Sequence, residues 1–156
     1  MKSAPPERTD AVVRAHLRPA WWALLVFLSL GIILEALHGL KAGAYVRPAA
    51  ETRRLLWTLA HAHGTLLALV QVAFALSLPS VPGLMGDAGK LVGRLLRSAT
   101  LLIPGGFFLG GTWIHAGDPG VGIVLVPVGA LLLVVAVARV AVACATPAPA
   151  TGGTPR

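Results

Sequence analysis

Residues 21–40 read WWALLVFLSLGIILEALHGL, an apolar run broken only by Ser29, Glu35 and His38. About 20 apolar residues are needed to carry a helix across a bilayer. Three more runs of that kind follow, Leu55–Leu78, Leu95–Trp113 and Val121–Val142. None shows the period-two alternation of a membrane β-barrel. The sequence therefore predicts an all-α integral membrane four-helix bundle with short loops. The predicted spans are about 20–44, 53–78, 94–114 and 120–143, within one transmembrane domain of residues 20–144. Residues 1–19 are expected to form a mobile cytoplasmic segment. Residues 145–156, made of Thr, Pro, Ala, Gly and a final Arg, are expected to be disordered.

Composition agrees with this. Charged residues make up 12% of the 156, where a soluble domain carries about 25%. The net charge of +7 does not imply nucleic acid, because the basic residues flank the spans. Lipid head groups are the partner that placement indicates. The single cysteine, Cys144, permits no internal disulfide and no C-x-x-C occurs, which argues against thiol–disulfide chemistry of the vitamin K epoxide reductase kind. The first apolar run starts after a long polar lead and is too long for a cleavable signal core, so it reads as a retained anchor. The wealth of Ala, Val, Gly and Arg indicates a bacterial inner membrane.

The connections set the topology. Val46–Glu51 is short, so the first two spans should be antiparallel neighbours. Ser80–Gly89 reads as loop, and Lys90–Arg97 as a stretch lying along the head groups. His115–Gly120, H-A-G-D-P-G, suits a β-turn through its Asp-Pro-Gly. One side then holds Lys2, Arg8, Arg14, Arg18, Lys90, Arg94, Arg97, Arg139 and Arg156. The other holds Lys41, Arg47, Arg53 and Arg54. This imbalance places both termini in the cytoplasm.

The polar residues inside the spans are the candidates for function, since an ionisable group in hydrocarbon costs several kcal/mol unless it faces a partner or water. At ~1.5 Å per residue, His38 lies about 10 Å below Tyr45 and His63 about 9 Å below Trp57. The two histidines thus share a depth on adjacent helices. Glu35 lies one turn deeper on the face of His38. His61 and His63 are two apart and point to opposite sides of the second span. Two readings follow. Glu35, His38 and His63, with His61 or His115, could hold a transition metal or haem. Alternatively they form a hydrogen-bonded polar cluster that pins the first span to the second, with Lys41 reaching back to Glu35, and this reading weighs more. His16 should be solvated in the polar lead, and deep Gln71 should bond a neighbouring helix.

The third span carries I-P-G-G-F-F-L-G-G. Gly106-x-x-x-Gly110 is a close-packing pattern, Gly105 and Gly111 should widen its flat face, and Pro104 should bend the helix. Pro127 and Gly129 suggest a matching bend in the fourth span, where Arg139 can snorkel to the interface.

The order of these features resembles the family of small four-helix membrane proteins termed domain of unknown function 423. The resemblance is carried by Ala36-Leu37-His38-Gly39-Leu40-Lys41, by Ala62-His63-Gly64-Thr65-Leu66 and by Pro127-Val128-Gly129-Ala130. Glu35, His61 and the paired glycines of the third span depart from that pattern. The resemblance implies the fold and topology, and a role for His38, Lys41 and His63. It implies no activity.

Four functions remain open on the sequence. The first is a structural or accessory subunit, alone as a homo-oligomer or in a larger membrane complex. It is favoured because no catalytic motif is present. The others are a metal- or haem-binding membrane protein, a small proton-coupled transporter or channel that would need oligomers, and, last, a membrane enzyme of the eicosanoid synthase kind, whose second-span pattern is missing.

Overall fold

The computed structural model describes residues 6–146. Four long helices, α1 (Pro6–Gly39), α3 (Glu51–Ser77), α4 (Asp87–Thr112) and α5 (Leu125–Ala145), are packed as a bundle, with a single-turn α2 (Gly43–Val46) between the first two. All four long helices are apolar and long enough to cross a membrane. Helix α3 packs on α1 and α4, and α4 packs on α5, so α1 and α5 are the outer helices. Accordingly, α3 and α4 bury 39% and 44% of the residues in their apolar stretches, α1 and α5 only 22% and 11%.

Four glycines set the helix spacing, Gly31, Gly64, Gly106 and Gly129, and each of these has an identifiable occupant. The His61 ring lies where a Cβ at Gly31 would go, and the Phe27 ring does the same at Gly64, so α1 and α3 interlock reciprocally. A Cβ at Gly106 would come 2.8 Å from Val126 Cγ2, and one at Gly129 2.7 Å from Ile103 Cγ1, which fixes α4 against α5. Deep in the bundle, Gln71 Nε2 donates to Thr100 Oγ1 (2.8 Å), which donates to the Leu96 carbonyl (2.9 Å).

Several boundaries differ from the sequence reading. Helix α1 starts at Pro6, not near residue 20. Val12 and Val13 pack against a core of Phe74, Leu78, Leu84, Val92, Leu96 and Ala136. His16 is buried, edge-on to Phe74 (5.3 Å), over Gly93. That apolar contact draws the lead into the bundle, and His16 is packed instead of solvated. At its other end α1 stops at Gly39. Lys41 adopts φ 51°, and the Ala42 N–H bonds the Leu37 carbonyl (2.9 Å), which closes the helix in a Schellman-type turn. Helix α4 is continuous from Asp87, because Gly89, Val92, Gly93 and Leu96 present one buried face. Pro127 lies in the first turn of α5, where a missing N–H costs nothing, so it does not interrupt that helix. The tight turn falls on Ala116 (φ 52°) and Gly117 (φ 92°), one step before the Asp-Pro-Gly, and pairs His115 with Asp118. Two positive φ values are the signature of a type I′ turn. The expected C-terminal disorder falls mostly beyond residue 146, outside the described residues, as do residues 1–5.

Candidate functional site: the groove between α1 and α3

The C-terminal end of α1, the short α2 and the first three turns of α3 enclose a groove of about 750 Å³. Its α1 wall is Leu28, Gly31, Ile32, Leu34, Glu35 and His38. Its α3 wall is Glu51, Arg54, Leu55, Thr58 and His61, with Tyr45 closing the end. Both sets recur at intervals of three and four, the spacing that keeps side chains on one helix face. With Gly31 level with His61, and the helices antiparallel, Arg54 lies near the level of His38 and Thr58 near that of Glu35. From the loop end inward the charges therefore run acidic, basic, acidic: Glu51, Arg54, Glu35. Below them the α1 wall is apolar, while the α3 wall ends in Thr58 and His61.

Neighbouring side chains brace this end of the bundle. Tyr45, Trp57 and Phe108 stack in a row, with centroid separations of 6.4 and 5.4 Å, and His38 meets Tyr45 edge-on at 6.4 Å. Trp57 Nε1 donates to the Phe108 carbonyl (3.1 Å) and its ring fills the space beside Gly111. Arg53 Nε donates to the Gly111 carbonyl (3.1 Å), a cation on the last turn of α4, where the helix dipole favours it. Thr52 Oγ1 donates to the Gly117 carbonyl (2.9 Å), which ties the 115–118 turn to the start of α3.

The candidate residues divide. Glu35, His38 and His61 line the groove. Glu35 and His38 are exposed, not buried, so the inward-facing Glu/His cluster expected from depth is not formed. His61 Nδ1 bonds the Phe27 carbonyl (2.8 Å). A carbonyl only accepts, so Nδ1 carries the hydrogen, and in the neutral ring Nε2 is left as an acceptor. His63 turns away: its Nδ1 bonds the Leu59 carbonyl of its own helix (2.9 Å), and its ring lies 5.0 Å from Phe107 of α4. Lys41 is exposed at the cap of α1 and makes no ion pair with Glu35. His115 is exposed in the turn, held through backbone bonds to Asp118. Among the described residues, no three His, Cys, Asp or Glu side chains come together to hold a metal ion.

The helix-packing glycines also separate. Gly106 is buried against the start of α5, at Val126 and Leu125, and Gly110 against Ile123 in the turn that precedes it. Gly111 serves the α3 face through Trp57 and Leu56. Gly105 has open space around it and widens neither face.

Tyr45, Glu51, Arg54 and Thr58 are the groove residues that sequence reasoning missed. Their signal was available: residues 51, 54, 58 and 61 fall at steps of three, four and three, one stripe of α3. In the sequence Glu51 falls in a connection, Arg54 among the flanking basic residues and Tyr45 at the interface, outside any predicted site.

Four helices of spanning length and apolarity, packed as a bundle, define a small multi-pass membrane protein in contact with the lipid bilayer. Comparison with protein-family models, curated proteins and solved structures gives no match.

Proposed function

We propose that this chain is a non-catalytic accessory subunit of a bacterial inner membrane, one that offers the α1–α3 groove as its binding surface. The observation that carries this is how the histidines are used. His16 and His61 occupy glycine notches, and His61 and His63 bond backbone carbonyls, all of which serves helix packing. The mixed-charge groove is the polar surface that packing leaves over. The resemblance to the domain of unknown function 423 family, on His38, Lys41 and His63, fits a membrane protein of this build and assigns no reaction.

Both termini are cytoplasmic in this proposal. The end of the bundle that holds them carries Arg14, Arg18, Lys90, Arg94, Arg97 and Arg139, against Lys41, Arg47, Arg53 and Arg54 at the other.

Blue-native electrophoresis of membranes extracted in mild detergent tests the subunit role. Migration as a homo-oligomer or larger assembly is expected, and migration as a lone 16.1 kDa chain in its micelle contradicts it. A haem or metal protein using Glu35 and His38 is the second reading, and it rests on those two sharing the groove. A Soret band or stoichiometric metal in the purified protein would select it.

A further inference from the structure

We propose that the α1–α3 groove binds a lipophilic monocation, its positive centre at Glu35 and its apolar body on Leu28, Ile32 and Leu55. This rests on the reading of that groove as the chain's binding surface and names the ligand class.

The charge of the groove gives the sign. Glu35 and Glu51 face one guanidinium, Arg54, so with neutral imidazoles the walls carry one excess negative charge. Among the described residues the one ion pair is Lys90 with Asp87, far from here, and Glu35 makes neither an ion pair nor a side-chain hydrogen bond. Arg54 has Glu51 one turn away on its own helix, near enough to share its charge. Glu35, across the groove, is the carboxylate left over. It lies four residues inside the end of α1, about 6 Å along the axis, where water thins out and an uncompensated carboxylate is costly. A cation there removes that cost.

The remaining groups agree with the same occupant. Thr58 offers lone pairs near the level of Glu35, His61 Nε2 offers another about one turn deeper, and the rings of His38 and Tyr45 lie at the end of the groove. Leu28, Ile32 and Leu55 are exposed and apolar, so the floor opens towards lipid, through which an apolar ligand arrives. The volume, about 750 Å³, lies in the range of sites that hold a drug-sized molecule. An anionic amphiphile would meet two carboxylates, and a zwitterion would leave the excess charge in place. A monocation neutralises it.

The test uses the full chain in nanodiscs of phosphatidylcholine, with tetraphenylphosphonium as the probe and binding measured by equilibrium dialysis. Saturable binding of one probe per chain is expected. Glu35→Gln should weaken it at least tenfold, and since Glu35 is exposed and unbonded the variant should fold, as its unfolding temperature will show. Arg54→Gln should bind more tightly than the parent, because it removes the competing cation. Asp118→Asn, at the same end but outside the groove, should leave binding unchanged. Absence of saturable binding overturns the proposal, as does unchanged affinity in Glu35→Gln or a comparable loss in Arg54→Gln. A chain that binds no probe yet keeps its native assembly overturns the cation site and leaves the subunit role standing.

Discussion

The imidazole of His61 occupies the volume that any side chain at residue 31 would need, and Gly31 is what lets it reach the Phe27 carbonyl at 2.8 Å. A glycine on one helix and a histidine on the next are thus one joint. An L side chain at 31 expels the ring, and loss of the ring leaves a notch.

Coupling between the two follows. Gly31→Ala should destabilise the bundle in detergent by about 1–3 kcal/mol through overpacking. In a His61→Ala background the same change should cost much less, since the ring it collides with is gone. Thermal unfolding of the four members of this cycle measures the coupling. Additive effects would show that the ring and the glycine do not share a site. Gly39→Ala, at a glycine with open space around it, is the control.

The third span separates two adjacent glycines. Gly106→Leu should destabilise by about 1–3 kcal/mol, because its side chain collides with Val126 and Leu125 of α5. Gly105→Leu enters open space and should be nearly neutral or gain from helix propensity. Equal unfolding temperatures for the two variants would contradict this packing.

Thr100 both accepts from Gln71 and donates to the Leu96 carbonyl, in a site where Gln71 is 5% exposed. Thr100→Val keeps the shape and strands the amide, at a cost of about 1–3 kcal/mol. Thr100→Ser should keep most of the stability. Should Val and Ser variants unfold together, the hydrogen bond contributes nothing.

Lys41 holds a left-handed conformation that costs an L residue roughly 1–2 kcal/mol. Lys41→Gly should therefore raise stability by about 1 kcal/mol, read from the shift of the unfolding midpoint. A lowered midpoint would mean that the lysine side chain contributes more than its backbone costs.

Orientation is open to chemical labelling. In a Cys144→Ser background, a cysteine at Ser80 should stay unreactive to an impermeant maleimide in intact cells, and one at Asp118 should react. The reverse pattern would invert the topology.

The spans were legible because twenty-residue apolar runs have few other uses, and Glu35, His38 and His61 stood out because such groups are rare there. Three things were hidden. Depth alone grouped His63 with His38, yet two residues on one helix at the spacing of His61 and His63 cannot both face α1, and the notch at Gly31 settles which does. The helical lead was masked by its charges, since the apolar contacts of Val12, Val13 and His16 become visible only once Phe74 and Gly93 are placed opposite. The tight turn was assigned to Asp-Pro-Gly by composition, while the chain turns at Ala116–Gly117, where the carbonyl of Gly117 is held by Thr52.

Each long helix packs chiefly on the one that precedes or follows it along the chain, from α1 through α3 and α4 to α5. Synthesis runs from the N-terminus, so every span after the first finds its partner already in the bilayer when it leaves the ribosome. Few contacts need distant parts of the chain to search for one another, a pattern that speeds assembly. The single exposed joint in that sequence of events is α1, whose notch at Gly31 stays unfilled until α3 supplies His61. Until then Glu35 stands on a helix that lacks its packing partner, and the delay lasts only as long as it takes to make residues 40 to 77.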